Sequence, residues 1–301
     1  MKKNSKDLVS IIMNCHNGEE FLEKSLKSIK EQTFKNWELI FWDNKSSDSS
    51  KKIFEKFKNK KMKYYRSKKF LNLHQARNEA LKKILGKFIC FLDVDDYWEK
   101  DKLLIQRNIF KNNENIDVCY GNVWIYNKNT ILKKKIMTNK TLPSGYIFND
   151  LINSYIVPLC SIMIKKKILT KNKIKFNEKY KIIGDFDLMA RLSQKHKFFA
   201  VQKPIATYRV HGQNMFIKKR NTEIKELKSW LNNFQNKKKT INLSGLKKKI
   251  LYLELLEKRR YLSFFKKIKK IYELKNYQNL FRLIVDTFFP EKFLRKFKFF
   301  S

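Results

Sequence analysis

Short apolar runs alternate with amphipathic segments along the first third of the chain. The predicted strands are 8–14, 37–43, 62–65 and 88–92. The predicted helices between them carry apolar residues over 21–29, 53–57 and 75–85, with Gly86 closing the last. Strands that alternate with helices in this way predict an α/β fold with a largely parallel sheet, covered on both faces.

The pattern changes after Trp98, where β-rich segments follow one another more closely. The elements predicted there are a helix near 103–110, strands at 118–126, 130–137 and 160–164, a helix from about 165, a helix at 185–194, and short strands at 198–201 and 205–209. The central sheet is therefore expected to become mixed, and the α/β domain to end near Asn214.

A basic helical region follows, so we expect two domains, 1–215 and 216–301. The last segment, 279–301, mixes phenylalanine with lysine and arginine, which is typical of a helix lying at a membrane surface. A stripe of phenylalanine and leucine at helical spacing is equally consistent with packing on the chain's own domain. An anionic membrane surface is therefore one predicted partner of this region.

The net charge is the most unusual feature of the composition, at +40 with a pI near 10.0. Such a charge favours an anionic partner, although a drift toward lysine-rich composition explains it equally well. The N-terminus does not resemble a secretory signal, and no window approaches the length of a membrane span. We therefore expect a cytoplasmic protein, with peripheral attachment to the cytoplasmic face of the membrane as a further prediction.

Cysteine and histidine add little chemistry on their own. The four cysteines lie far apart with no CxxC pair, which favours buried free thiols over disulfides or zinc. His74 and His196 have no recognisable partners and are predicted to lie at the surface.

Polar residues follow three of the predicted strands. The three clusters are Asn14–Asn17, Asp43–Ser46 and Asp93–Asp96. Ligands of an open α/β sheet collect at the carboxyl ends of its strands. Two carboxylates one residue apart, as in Asp93 and Asp95, supply the hard oxygen ligands that favour Mg²⁺ or Mn²⁺. A single aspartate at a strand end is also typical of a turn or a helix cap. For Asp96, the alternative role is to cap the helix that is predicted after Trp98.

The order of these motifs resembles a known family. The segments VSIIMNCHNGEEFLEKSLKSIKEQTFKNWELIFWDNKSSDSS, NLHQARNEAL, GKFICFLDVDDYW and IIGDFDLMARLSQKHKFFAVQKPIATYRVHGQN are similar to successive blocks of family 2 glycosyltransferases. The resemblance covers residues 8 to about 214. It implies the GT-A fold with a mixed central sheet, and the basic helical region is a C-terminal extension beyond that fold.

The resemblance also implies the residues of the metal site and of catalysis. Asp93 and Asp95 match the DxD pair that binds Mn²⁺ or Mg²⁺, with Asp95 in direct contact with the metal. Asp185 matches the general base that takes the proton of the acceptor hydroxyl. Its structural alternative is an N-cap, and Asp187 is the second choice for the base. The chain departs from the family in having Gly184 where a glutamate is usual.

The donor-nucleotide site is implied in the same way. Asp43 matches the carboxylate that binds the nucleotide base, and Arg77 a residue that reaches the nucleotide. His16 and Asn17 line the first turn; Asn14 and His16 stand where the family usually has proline and tyrosine, and an imidazole can still stack on a base. The alternative role of His16 is packing within the turn. His211 matches a polar residue near the diphosphate, with the end of the last strand as its alternative role. Asp93 also belongs to this donor site.

The function implied is that of an inverting, metal-dependent glycosyltransferase. It would move a sugar from a nucleotide-sugar donor, most commonly a UDP-sugar, to a glycan or lipid-linked acceptor in the synthesis of a cell-surface polysaccharide, lipopolysaccharide or other glycan. The alternatives are an inactive GT-A binding module and, because of the charge, a nucleic-acid-binding protein. No nucleic-acid motif supports the latter, and nucleic acid is not expected as a partner. A nucleotidyltransferase would need a glycine-rich basic loop where this chain has Gly18, Glu19 and Glu20.

Overall fold

A computed structural model describes residues 7–130, 132–171, 173–235 and 241–257. The chain forms two compact units. The first comprises the described residues up to Tyr126, Lys134–Leu151 and Tyr155–Arg209. The second comprises Asn127–Lys133, Ile152–Ser154 and the described residues from Val210 onward. The predicted division into 1–215 and 216–301 stays a prediction.

Strands and helices alternate in the first half of the chain, as predicted. The strands are β1 Val9–Cys15, β2 Trp37–Asp43, β3 Met62–Arg66, β4 Phe88–Phe91, β5 Tyr97–Trp98, β6 Val118–Tyr126, β7 Lys134–Ile136, β8 Met163–Lys165 and β9 Phe198–Arg209. The helices are α1 Glu19–Lys30, α2 Ser50–Phe57, α3 Leu73–Leu81, α4 Lys102–Asn112, α5 Phe148–Asn153, α6 Lys166–Lys171, α7 Gly184–Ser193, α8 Met215–Lys218, α9 Arg220–Gln235 and α10 Ser244–Glu257.

The described strands form one mixed sheet in the order β3-β2-β1-β4-β8-β6-β9-β5, and β7 pairs with β6. The first four strands in this order run parallel, and β8 is antiparallel to both of its neighbours. β6 and β9 are parallel, and β5 is antiparallel to β9. The ends of β1, β2, β3 and β4 therefore meet at one side of the sheet, which we call the carboxyl edge.

The core lies on both faces of the parallel strands. Every residue of β1 and β2 is buried, which is why their sequences are almost continuously apolar. Glu38 is the one charged residue of β2 before its last residue, Asp43. Its carboxylate accepts hydrogen bonds from Ser10 Oγ at 2.7 Å and from the Leu85 backbone N–H at 2.6 Å. The four cysteines are free and buried, as predicted.

Gly86 does not close a helix, contrary to the prediction, because α3 already ends at Leu81. Its backbone instead lies against β1, where its N–H donates to Ser10 Oγ at 2.8 Å. A Cβ atom at this position would lie 2.5 Å from the carbonyl oxygen of Leu8. The glycine is required by a close approach of two backbones.

The predicted elements of the second half of the sheet differ most from the observed ones. The strand predicted at 160–164 is split into a 3-10 turn, Leu159–Ser161, and β8. The strand predicted at 130–137 is shorter, and the two predicted at 198–201 and 205–209 are one strand, β9. Its register against β6 shifts near Gly121 and Asn122, so the polar residues Gln202 and Lys203 fall in a bulge that interrupts the apolar pattern.

In the second unit, α9 and α10 are joined by two ion pairs, Lys228 with Glu254 at 2.6 Å and Lys249 with Glu223 at 3.2 Å. None of the helices that the structure describes combines the length and the apolar character needed to cross a membrane. The membrane-surface helix predicted at 279–301 lies outside the described residues.

Candidate active site

Asp93 follows β4 at the carboxyl edge and pairs with Arg77 of α3. Arg77 is buried, and its Nη2 atom donates to both carboxylate oxygens of Asp93, at 2.8 and 2.9 Å. Helix α3 is anchored at its start by a reciprocal capping box between Asn72 and Gln75, and the Arg77 guanidinium lies over the ring of Phe176. Arg77, which is expected to reach the nucleotide, and Asp93, which is expected in both the metal and the donor site, therefore form one ion pair.

The neighbouring carboxylates of the 93–96 loop lie close together. Asp96 is buried and accepts a hydrogen bond from the Arg209 backbone at 3.0 Å. Burial, followed by the negative charges of Asp95 and Asp93, raises the pKa of Asp96 well above its usual range. Asp96 does not cap a helix, contrary to the alternative considered above, because α4 begins at Lys102 after Asp101.

This loop fits a hard divalent cation in part. Asp93 and Asp95 offer carboxylate oxygens, the ligand type of Mg²⁺ and Mn²⁺, and the negative charges of both act on the neighbouring buried Asp96. Among the described residues, no group of three or more histidine, cysteine, aspartate or glutamate side chains is arranged to hold a metal. The protein alone would therefore supply part of a coordination shell, and oxygens of a ligand or of water would have to complete it.

Asp185 lies in the first turn of α7. It is not the N-cap, as its alternative role required, because the N-cap is Ile183. One of its carboxylate oxygens accepts a hydrogen bond from the Phe186 backbone at 2.8 Å. The second choice for the base, Asp187, is buried and paired with Arg191 at 2.8 Å, which disfavours it.

Tyr155 is a neighbour of Asp185 that the sequence did not reveal. Its hydroxyl is buried, and its ring meets the ring of Phe186 edge-on at 5.6 Å. Burial, followed by the charge of Asp185, raises the pKa of Tyr155 well above its usual range. The side chain is therefore a neutral phenol beside the candidate base, and a tyrosine in an irregular segment carries no sequence signal for that role.

His74 is buried, so the prediction that it lies at the surface is wrong. Its ring stacks on Phe176 at 5.5 Å, and a Cβ added to Gly184 would lie 2.4 Å from its Nε2 atom. Burial, followed by the nearby charge of Arg77, lowers the pKa of His74 to about 3. The imidazole is therefore neutral and fills the space above the residue that precedes Asp185.

His196 also differs from its prediction, because it has a partner. Its Nδ1 atom lies 2.8 Å from a carboxylate oxygen of Asp117, and its side chain is 13% exposed. The pair joins the segments that lead into β6 and β9, which indicates a structural role.

His16 and Asn17 occupy the turn after β1, at the carboxyl edge. His16 is exposed, with Nδ1 3.0 Å from the Asn44 carbonyl oxygen and its ring edge-on to Phe70 at 4.7 Å. Asn17 has a left-handed backbone, φ 52°, and its side-chain oxygen accepts from the Ser47 backbone at 2.8 Å. Phe70, which the sequence did not single out, is 60% exposed beside His16, so the edge carries an accessible aromatic pair.

Asp43 ends β2 and is fully buried. Its carboxylate accepts hydrogen bonds from the Ser46 backbone at 2.7 Å, from the Tyr64 hydroxyl, and from Arg66 Nη1 at 2.9 Å. The Arg66 side chain is half exposed, whereas the Asp43 side chain is fully enclosed. Its assignment to the nucleotide base stays a prediction.

His211 belongs to the second unit, where its backbone N–H donates to the Asn214 side chain at 2.6 Å. Its assignment to the diphosphate stays a prediction.

Comparison with known proteins identifies the family. The model of glycosyl transferase family 2 matches residues 10–172, which is more than half of the chain. The chain belongs to glycosyltransferase family 2. A relative in Escherichia coli, the UDP-Glc:alpha-D-GlcNAc-diphosphoundecaprenol beta-1,3-glucosyltransferase WfgD, is 33% identical over 172 residues. That match covers 57% of this glycosyltransferase and 66% of WfgD.

Solved structures share the fold. S. aureus TarS in complex with UDP-GlcNAc has a TM-score of 0.62 at 17% identity, over 94% of this chain and 82% of TarS. The mannosyltransferase PcManGT from Pyrobaculum calidifontis, in complex with GDP-Man and Mn²⁺, has a TM-score of 0.56 at 11% identity, over 95% and 77% of the two chains. The predictions of the family, of the GT-A fold and of a nucleotide-sugar glycosyltransferase are confirmed.

Proposed function

We propose that this glycosyltransferase transfers a sugar, with inversion, from a UDP-sugar to a hydroxyl of a glycan or lipid-linked acceptor. The observation that carries the proposal is the group of carboxylates Asp93, Asp95 and Asp96 at the carboxyl edge, fixed there by Arg77 and the Arg209 backbone. The names of WfgD and of the TarS complex support a UDP-linked donor, and that of WfgD a lipid-linked acceptor for a surface glycan.

The donor would bind at the carboxyl edge. Asp93 and Asp95 would hold Mn²⁺ or Mg²⁺, which when bound stabilises the negative charge that develops on the leaving diphosphate. Arg77 holds the Asp93 carboxylate in place through two hydrogen bonds. His16, with Asn17 in the same turn, would contact the nucleotide, while Asp43 would bind the base and His211 would approach the diphosphate.

Asp185 would act as the general base. An acceptor hydroxyl is a poor nucleophile, so its proton must move to a carboxylate oxygen as its own oxygen attacks the anomeric carbon of the sugar. The hydrogen bond from the Phe186 backbone fixes one oxygen of Asp185 and orients the carboxylate. Attack from the face opposite the leaving diphosphate inverts the anomeric configuration.

We also propose that the basic C-terminal region, 216–301, holds the protein against an anionic membrane surface. Each basic residue near such a surface contributes about 1 kcal/mol to binding. Flotation of the whole chain with anionic and with neutral vesicles tests this, and equal flotation with both would contradict it.

The donor site is tested by thermal unfolding with a panel of nucleotides and nucleotide sugars, with and without Mn²⁺. A ligand at a hundred times its Kd stabilises the folded state by about 2.7 kcal/mol, which a melting curve resolves. We expect Mn²⁺-dependent stabilisation by uridine nucleotides in the wild type and its loss in Asp95→Asn. Glu55→Gln, an exposed carboxylate on α2, is the matched control and should behave as the wild type. If no nucleotide stabilises the wild type, the donor site is wrongly assigned.

The base is tested by Asp185→Asn, which keeps the shape of the side chain. Donor binding should persist while turnover falls by about 10²- to 10⁴-fold, the usual contribution of a general base. Turnover close to that of the wild type would contradict the assignment.

A further inference from the structure

Arg209, the last residue of β9, is buried against the loop that carries the metal-site carboxylates. Its guanidinium donates to the carbonyl oxygens of Asp95, of Val94 at 3.3 Å and of Phe21 at 3.0 Å. It also lies over the rings of Phe21 and Tyr97, with centroid distances of 4.9 and 5.5 Å. The side chain thus contacts the loop and α1 at once.

Ser25 of α1 contacts the same loop. Its hydroxyl lies 2.6 Å from the Val94 carbonyl oxygen and 2.5 Å from that of Asp96, and it accepts from Arg209 Nη2 at 3.2 Å. The hydroxyl has a single proton, so it donates to one of these two carbonyls at a time or shares the proton between them. Between them, Ser25 and Arg209 contact the backbone carbonyls of three successive residues, Val94, Asp95 and Asp96.

These contacts restrict the backbone of the loop and leave the Asp93 and Asp95 side chains partly exposed. A loop residue loses conformational freedom when it is held in a single conformation, and a ligand that has to impose this order binds more weakly. A guanidinium suits the task because its fork of donors is rigid, whereas the ammonium of lysine is a single point of donation. Contacts of this kind behind a metal ligand commonly change metal affinity by 10- to 100-fold.

We propose that Arg209 and Ser25 are positioning residues, which hold the 94–96 backbone in the conformation in which Asp95 presents its carboxylate to the donor diphosphate and its cation. This inference rests on the proposed function, because it assumes that Asp95 binds the cation. It gives Arg209 a role beyond ending the last strand.

The test is a Mn²⁺ titration of turnover at saturating donor, with a parallel Mn²⁺ titration of the melting temperature in the presence of UDP, for the wild type, Arg209→Lys and Ser25→Ala. We expect both variants to raise the half-saturating Mn²⁺ concentration about 10- to 100-fold, with kcat largely recovered at saturating Mn²⁺. Matched controls are Arg107→Lys, which changes an arginine paired with Asp7, and Ser193→Ala, which removes a buried hydroxyl bonded within its own helix. Both controls should keep the wild-type half-saturation.

A merely structural role would lower the melting temperature and the turnover at every Mn²⁺ concentration without moving the half-saturation point, and that result overturns the inference. If circular dichroism shows that Arg209→Lys does not fold, the test rests on Ser25→Ala. This variant removes only one oxygen atom and therefore disturbs the fold less. If the turnover of the wild type does not depend on the Mn²⁺ concentration, the metal part of the proposed function and this inference are both wrong. If the turnover of the wild type depends on Mn²⁺ but both variants have its half-saturating Mn²⁺ concentration, this inference alone is wrong and the proposed function stands.

Discussion

Replacing Gly184 with alanine should force the fully buried His74 ring out of its place. A Cβ on residue 184 would lie 2.4, 2.5 and 2.6 Å from three atoms of that ring. The ring cannot simply swing away, since it is enclosed and stacked on Phe176. Either the imidazole or the first turn of α7, which carries Asp185, has to shift.

The size of the effect follows from ordinary packing energies. Adding a methyl group to a filled core costs about 1–3 kcal/mol, and the distances place Gly184→Ala in the upper part of that range, about 2–3 kcal/mol. His74→Ala removes the obstacle. It loses ring packing, but it also removes two buried ring nitrogens that have no hydrogen-bond partner among the described residues. Each such atom costs about 1–3 kcal/mol when buried, so His74→Ala should cost less than an ordinary truncation in the core.

The assay is urea unfolding of the wild type, both single variants and the double variant. The double variant should be more stable than the sum of the single effects predicts, by about 2 kcal/mol, because the new methyl group occupies the space vacated by the ring. Turnover should follow the same order, since Asp185 is the next residue. Gly212→Ala is the control, because a Cβ there meets nothing within 4 Å and its stability should match the wild type. Additivity within about 0.5 kcal/mol would refute the reasoning.

Two further predictions concern stability. The pKa of His74 is about 3 in the folded protein and 6.5 when unperturbed, so between these pH values the unfolded chain binds a proton that the folded chain does not. Lowering the pH from 6.5 to about 5 should therefore cost the wild type about 2 kcal/mol that His74→Ala does not lose, and equal pH dependence in urea unfolding would contradict this. Gly86→Ala should destabilise by about 1–3 kcal/mol relative to Gly212→Ala, because its Cβ would lie 2.5 Å from the Leu8 carbonyl oxygen and 2.7 Å from the Ser10 nitrogen, both backbone atoms. Equal melting temperatures of these two alanine variants would show that the backbones can separate at little cost.

The parallel half of the fold was predictable because burial on both faces leaves a continuous apolar run in each strand. β1 and β2 show this directly, as all their residues are buried. The other half was less predictable, because β8 has three residues and β9 contains a bulge that breaks its apolar pattern. In a run this short or this interrupted, the alternation of apolar and polar residues is too brief to define a strand.

The position of a candidate site residue was predictable where it follows directly from a strand end, as for Asp93 and Asp95 after β4. It was not predictable where a role depends on contacts between distant segments. The buried His74 ring lies against Gly184, and no local pattern around either residue indicates that contact. The same limit explains why Asp96 and Asp185 could be interpreted as helix caps: an aspartate near the start of a helix satisfies the cap pattern whether or not it occupies the cap.

The basic residues at the candidate site are arginines, which distinguishes the site from the lysine-rich remainder of the chain. Most of the basic residues are lysines, and a drift in composition accounts for many of them. At the carboxyl edge, however, the side chains that tie the acidic residues and their loops together are Arg66, Arg77 and Arg209. Arg66 donates to Asp43 and to the Ser46 carbonyl, Arg77 to both oxygens of Asp93, and Arg209 to successive carbonyls of the 93–96 loop. Each of these contacts uses more than one hydrogen bond from a rigid planar group, which lysine cannot reproduce. In a chain so rich in lysine, the positions that have arginine therefore say more about the site than the net charge does.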